Sequence, residues 1–130
     1  MSGKYLLDAS ALLALIFDEP GADQVRDVFD STLIHAVNLA EVMRKMVSLG
    51  MPADQVIARI AELHLEIITE FTAGQAEEMA RWAPESKRLG LSLGDSLCLV
   101  VAQAIDAVAV TADRRWSEIQ GRDVQVIRIR

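Results

Sequence analysis

The sequence is short of cysteine, aromatic residues and positive charge, and each shortage excludes a class of protein. Cys98 is the single cysteine among 130 residues, so neither an internal disulfide nor a cysteine-rich zinc site is possible. The lone cysteine also favours a reducing, cytoplasmic setting. Aromatic residues make up 5% of the chain and the net charge is −6, which argues against a protein that binds nucleic acid through a broadly basic surface.

Long hydrophobic runs are missing as well. The apolar run over residues 9–17 is shorter than the roughly 20 residues that a membrane-spanning helix needs. Asp8 closely precedes this run and no small-residue cleavage site follows it, so it is not expected to be a signal peptide. With 52% hydrophobic and 25% charged residues, the composition is typical of one globular domain over residues 1–130, with no membrane contact.

Hydrophobic patterning and turn residues predict strands that alternate with helices. The predicted strands span residues 4–7, 32–37, 65–69, 107–111 and 124–129. The predicted helices span residues 9–17, 22–29, 39–49, 52–63, 72–88 with a break at Pro84, and 92–105, and a short helix follows Asp113. This alternation predicts an α/β fold, a three-layer α/β/α sandwich around a mostly parallel five-stranded sheet.

Acidic residues stand where the predicted strands end. Asp8 ends the first strand and Asp113 lies just past the fourth, while Glu41 and Asp95 lie in the first turns of two helices. Sites in parallel α/β sheets form at the carboxyl ends of the strands. The order of elements therefore predicts that these four carboxylates meet at one end of the sheet.

Four ionised carboxylates in one pocket need a positive charge to neutralise them. A carboxylate-rich site without thiolates or paired imidazoles suits Mg²⁺ or Mn²⁺ better than Zn²⁺, and His35 and His64 share no ligand-like spacing. Such a site supports hydrolysis of phosphodiester bonds, in which the ion activates water and stabilises the developing charge.

Each acid also has an ordinary structural explanation, and these explanations remain open at this point. Asp8 and Asp113 are both placed to cap the helices that follow them. Glu41 is placed to pair with a basic residue one helical turn later. A carboxylate at the position of Asp95 also favours the start of a helix.

Four segments together resemble a known family. They are residues 6–12 (LLDASAL), 38–42 (NLAEV), 90–99 (GLSLGDSLCL) and 110–116 (VTADRRW). In this order and spacing they resemble PIN-domain ribonucleases, and more narrowly the VapC-type toxins of bacterial type II toxin–antitoxin systems. The resemblance covers nearly the whole chain, and the two downstream segments are its more specific half.

The resemblance implies roles for particular residues. The family's four acidic metal-site positions fall on Asp8, Glu41, Asp95 and Asp113. Asp8 and Asp95 match its most direct metal ligands, and Ser10 and Thr111 match supporting polar positions. Ser96 stands where relatives often carry Ala or Arg, a mild departure that leaves the acids intact.

The activity that the resemblance implies is that of a Mg²⁺- or Mn²⁺-dependent endoribonuclease, with an RNA substrate that is often tRNA or rRNA. The family's toxins form homodimers and are silenced by a cognate antitoxin protein. Four basic residues flank the downstream acids, either as contacts for RNA or as ordinary solvated charges: Lys87, Arg88, Arg114 and Arg115. The high apolar content with few aromatics also favours an exposed helical face, and hence a homodimer.

Three other functions would also fit an α/β fold with acidic residues at its strand ends. A phosphorylatable receiver domain needs an Asp after the third strand and a Lys after the fifth, but Glu70 follows the third and no Lys lies beyond Lys87. A haloacid-dehalogenase-like phosphatase needs a second acid two residues after the first, where Ser10 stands. A catalytically silent PIN-fold binding module remains the alternative.

Overall fold

The computed structural model describes residues 4–130, in which six α-helices surround a five-stranded sheet. The strands are β1 (Tyr5–Leu7), β2 (Thr32–His35), β3 (Ile67–Ile68), β4 (Val108–Thr111) and β5 (Val126–Arg128). The α-helices are α1 (Ala9–Ile16), α2 (Ala22–Val28), α3 (Ala36–Ser48), α4 (Ala53–Ala61), α5 (Ala73–Leu89) and α6 (Leu93–Ala104). Two 3₁₀ helices cover Phe29–Ser31 and Arg114–Glu118.

The sheet is parallel throughout, with the strand order β3-β2-β1-β4-β5. The chain adds strands to one side of β1 as far as β3, and then crosses to the other side with β4. The order of strands therefore reverses between β1 and β4, the position where parallel α/β sheets place their sites. Residues that directly follow β1 and β4 become neighbours at this point.

Alternation along the strands divides the core into two halves, because successive side chains of a strand point to opposite faces. Leu7 and its β2 partner Ile34 join the core formed with α1 to α4. Leu6 and its β2 partner Leu33 join the core formed with α5 and α6, where Trp82 is fully buried. The sheet is thus the middle layer of an α/β/α sandwich, which confirms the predicted fold class.

The prediction for the second strand was two residues too long. The strand ends at His35 and α3 begins at Ala36, so Val37 is helical. The His35 ring accepts a hydrogen bond from the Val37 backbone N–H at 3.1 Å and acts as the N-cap of α3. This local hydrogen bond outweighs the weak strand propensity of Val37.

The predicted break at Pro84 was also wrong, because α5 continues through this residue. Proline removes one backbone donor inside a helix, but Pro84 lies on the exposed side, where water can satisfy the carbonyl that is left free. A capping box between Thr72 and Gln75 starts the helix and buried Trp82 anchors it.

The other elements are confirmed with shifted ends. The third and fifth strands are shorter than predicted, at Ile67–Ile68 and Val126–Arg128, and the short helix after Asp113 is a 3₁₀ helix. No helix within residues 4–130 combines the length and apolar character needed to cross a membrane.

Candidate active site

Asp8 is the most deeply buried of the four predicted acids. It follows β1 and caps α1, since its Oδ1 atom accepts hydrogen bonds from the Ala11 backbone at 2.8 Å and from Ser10 Oγ at 2.7 Å. Its Oδ2 atom accepts one from Thr111 Oγ1 at 2.5 Å. Burial raises the pKa of Asp8 to about 6 even though these hydrogen bonds favour its charged form. Asp8 therefore acts as a helix cap and is also an acid buried at the switch point.

Ser10 and Thr111 join the ends of β1 and β4. Their hydroxyl oxygens lie 3.3 Å apart, and both contact Asp8. The backbone N–H of Ala112 donates to Ser10 Oγ at 2.9 Å, and that of Asp113 donates to Thr111 Oγ1 at 3.0 Å. These hydrogen bonds fix the chain that leads from β4 to Asp113 against the start of α1.

Glu41 is held in place by two residues, Asn38 and Gly94. Asn38 Nδ2 donates to Glu41 Oε1 at 3.0 Å and to the Gly94 carbonyl at 3.1 Å, which joins α3 to the start of α6. A Cβ atom at Gly94 would overlap the Glu41 carboxylate, so a glycine here leaves room for the carboxylate in the position that Asn38 holds. Partial burial raises the pKa of Glu41, and the nearby Asp95 charge adds to the shift.

Asp95 lies in the first turn of α6 and forms a capping box with Ser92. Its Oδ2 atom accepts from the Ser92 backbone at 2.9 Å, and its own backbone N–H donates to Ser92 Oγ at 3.1 Å. Its negative charge raises the pKa of both Asp8 and Glu41. Asp95 is therefore close enough to both Asp8 and Glu41 for its charge to influence them.

Asp113 is neutralised by Arg115. Its carboxylate caps the following 3₁₀ helix and accepts hydrogen bonds from Arg115 Nε at 3.0 and 3.1 Å and from Nη2. These hydrogen bonds lower the pKa of Asp113. Arg115 Nη2 also lies 3.7 Å from Asp95 Oδ2, so one guanidinium contacts both downstream acids and is not merely a solvated charge.

The structure places the four predicted acids in one continuous network. Thr111 links Asp8 to the Asp113 backbone, Arg115 links Asp113 to Asp95, and Asn38 links Gly94, next to Asp95, to Glu41. Across residues 4–130, however, no three Asp, Glu, His or Cys side chains converge closely enough to hold a metal ion as they stand.

The donor set fits a hard divalent cation in its chemistry. The donors are carboxylate oxygens, which Mg²⁺ and Mn²⁺ prefer. Asn38 Oδ1 is a buried acceptor without a partner in the structure, and its amide orientation follows from the two oxygens that its nitrogen contacts. A buried acceptor of this kind is ordinarily satisfied by an ordered water.

Sequence reasoning gave no role to Asn38 or Gly94, and it named Arg115 only as an RNA contact or a solvated charge. Asn38 stands three residues before Glu41 in α3, so helical spacing places both on one face and offers a signal for it. Gly94 directly precedes Asp95 inside the downstream motif, but its contact with Glu41 depends on how α3 and α6 pack. The role of Arg115 depends equally on tertiary packing.

Other large or potentially reactive residues have packing roles. Trp82, Trp116 and Met46 are buried in the two halves of the core. Cys98 is fully buried in α6, and burial raises the pKa of its thiol, which leaves it unreactive.

Comparison with known proteins decides the family. The family model described as the PIN domain matches residues 5–122. The chain belongs to the PIN domain family. Members of this family are generally nucleases, and the acidic network of this PIN domain lies within the matched region. No match was found among proteins of curated function.

Solved structures similar to this PIN domain include three of VapBC proteins. The VapBC2 structure from Rickettsia felis, bound to a DNA fragment from its promoter, matches at 20% identity and a TM-score of 0.72, over 95% of this chain and 97% of the other. DNA-bound VapBC from Salmonella typhimurium matches at 16% identity and a TM-score of 0.73, over 97% and 98%. VapBC-1 from nontypeable Haemophilus influenzae matches at 19% identity and a TM-score of 0.73, over 96% and 97%. At these identities the likeness shows the fold.

Proposed function

We propose that this PIN domain is a metal-dependent endoribonuclease that acts as the toxin of a toxin–antitoxin pair. The observation that carries the proposal is the placement of Asp8, Glu41, Asp95 and Asp113 around the β1–β4 switch point, where hydrogen bonds and ion pairs through Thr111, Arg115 and Asn38 connect them. Four carboxylates, with no histidine or lysine among the residues that join them, suit phosphodiester hydrolysis assisted by Mg²⁺ or Mn²⁺.

Each residue has a defined task in this mechanism. Asp8 and Asp95 are the principal ligands, and Glu41 and Asp113 complete the acidic set. Ser10 and Thr111 hold the Asp8 carboxylate with both oxygens oriented. With a pKa of about 6, Asp8 is ionised above neutral pH and available to a cation. A bound divalent ion supplies the acidity that makes water a nucleophile and neutralises charge on the phosphate.

The negative net charge is compatible with an RNA substrate. A bound cation would reverse the local repulsion between the acids and a phosphate, so a broadly basic surface is not required. Lys87, an exposed residue in the last turn of α5, is available for contact with the RNA backbone.

The same proposal includes two protein partners, an antitoxin and a second copy of this chain. Likeness to VapBC structures supports the antitoxin, and an acidic site attracts a basic protein segment electrostatically. We expect co-expression of the cognate antitoxin to suppress cleavage by the purified complex. Continued cleavage by a complex that stays intact on a sizing column would contradict the inhibitory role.

Cleavage of RNA by the purified chain tests the proposal. The chain is incubated with total RNA in Mg²⁺ or Mn²⁺, beside a sample with EDTA and the Asp8→Asn variant. We expect discrete cleavage products that are absent from both controls. Binding of RNA without cleavage in either metal would instead support the silent binding module and overturn the nuclease proposal for those RNAs.

A further inference from the structure

Arg115 makes several hydrogen bonds and ion pairs although it lies at the surface. Its side chain is about half exposed, yet it donates hydrogen bonds to both oxygens of Asp113 and lies 3.7 Å from Asp95. Its third nitrogen, Nη1, donates to the carbonyls of Leu89 at 3.1 Å and Gly90 at 2.6 Å. The guanidinium is therefore fixed by the ends of three separate elements.

The C-terminal end of α5 binds the Arg115 guanidinium. Gly90 has a left-handed backbone with a φ of 67° and closes the helix. The last carbonyls of a helix carry partial negative charge and favour a cation. Because Nη1 is anchored there, the Nε–Nη2 side of the guanidinium is directed at the acids. A planar fork of this kind is specific to arginine.

The geometry points to Arg115 as a built-in counterion that competes with a divalent cation for the acidic site. The inference rests on the proposed function, since it concerns ion loading of that site. In the chain as described, the guanidinium takes the oxygens of Asp113 and offsets the charge of Asp95. An ion that uses these carboxylates must share them with a fixed positive charge, or displace that charge.

Competition gives Arg115 two opposite effects. Without an ion, its positive charge relieves repulsion between the acids and so stabilises the fold. With an ion, the same charge weakens binding because two cations then share one acidic cluster. A residue that merely positioned the acids for the ion would stabilise both states, so the two roles differ in sign.

Mn²⁺ binding measured by calorimetry separates these roles, and it does not depend on cleavage. The variants are Arg115→Gln and the matched control Arg114→Gln, which removes the same charge from an exposed neighbour. We expect Arg115→Gln to bind Mn²⁺ about tenfold more tightly than the parent, the size of one lost charge-assisted contact. Arg114→Gln should change the affinity by less than about twofold, as an exposed charge does.

Thermal unfolding in EDTA supplies the second readout. The melting temperature should fall for Arg115→Gln and stay near that of the parent for Arg114→Gln. Equal or weaker Mn²⁺ binding by Arg115→Gln would overturn the counterion role. If Arg115→Gln does not fold, Arg115→Met keeps most of the side chain without its charge and should bind Mn²⁺ more tightly than the parent, and the absence of any gain would again overturn the inference.

The outcome also separates this inference from the proposed function. Equal Mn²⁺ binding by the parent and Arg115→Gln would overturn the counterion role and leave the nuclease proposal intact. A parent and a variant that both fail to bind Mn²⁺ would overturn both.

Discussion

Among individual side chains, Asp8 has the clearest electrostatic consequence for stability. An unfolded aspartate has a pKa of about 3.9, whereas burial raises that of folded Asp8 to about 6. Between these values the folded chain keeps a proton that the unfolded chain has released. The free energy of unfolding should therefore fall as pH rises from about 4 to about 6, by roughly 2 to 3 kcal/mol from this group.

Urea unfolding at a series of pH values, in EDTA, measures this effect when the parent is compared with Asp8→Asn. Asparagine does not titrate, so the variant should lack this part of the decline and should exceed the parent in stability above pH 6. Glu41 shifts in the same direction, but it is present in both proteins and largely cancels in the comparison. Parallel curves over the whole range would contradict the raised pKa of Asp8.

Asn38 allows a second prediction for a single side chain. Asn38→Ala removes the donor that holds Glu41 and Gly94, while Asn38→Asp replaces it with a carboxylate that faces two oxygens. Burial of an unpaired acceptor costs about 1 to 3 kcal/mol, and a like charge adds to the loss. We expect RNA cleavage and stability to decrease in the order parent, Asn38→Ala, Asn38→Asp.

Cleavage rates and urea midpoints of the three proteins check that order. Full activity in Asn38→Asp would show that the position of Glu41 does not depend on this amide.

The limits of sequence reasoning are also visible at single residues. Asp8 and Asp113 were recognisable because each follows a predicted strand, and strand ends can be located approximately from hydrophobic patterns. The link between Asp113 and Asp95 was not, because Arg115 reaches both acids only after the end of α5 packs beside them. Interactions between elements distant in sequence are set by packing, which local patterns do not contain.

At the scale of helices, Gly94 and Gly74 allow a comparison of two glycines at the same helical position. Both lie in the first turn of a helix, but a Cβ at Gly94 would overlap the Glu41 carboxylate, while one at Gly74 would meet only Thr72 Oγ1, at 3.7 Å. Gly94→Ala should push the Glu41 carboxylate away from Asn38, which costs about 1 to 3 kcal/mol of stability, and should reduce cleavage. Gly74→Ala should be neutral or stabilise by up to about 1 kcal/mol, because alanine is the better helix former.

Chemical denaturation of both variants measures the difference. Equal effects of the two substitutions would show that the Glu41 carboxylate moves aside at little cost, and that Gly94 is not required for its position.

The elements themselves were predicted in the correct order, and the errors concern their ends and the break at Pro84. The β2–α3 boundary was misplaced because the His35 side chain caps α3. The β-branched side chain of Val37 favours a strand, so the sequence pattern does not indicate this cap. Helix α5 passes through Pro84 because a proline on an exposed face costs one hydrogen bond that water replaces. In the first case a local side-chain hydrogen bond overrides strand propensity, and in the second the solvent compensates for the proline.

At the scale of the whole molecule, the homodimer stays a prediction. Leu93 is 75% exposed, Leu49 59% and Ile57 55%, but singly exposed apolar side chains are also normal on a monomer. We expect sedimentation to show a dimer in the micromolar range. A monomer at high micromolar concentration would contradict the homodimer without affecting the acidic site.

The cooperation of the carboxylates is tested most directly by single-turnover RNA cleavage in Mn²⁺ by the parent, Asp8→Asn, Asp95→Asn and the double variant. Groups that act as one unit are not additive. We predict that each single substitution lowers the rate by about a hundredfold or more, and that the double variant loses little beyond the larger single loss. Cleavage that persists in the double variant and in EDTA would contradict a metal site built from these acids.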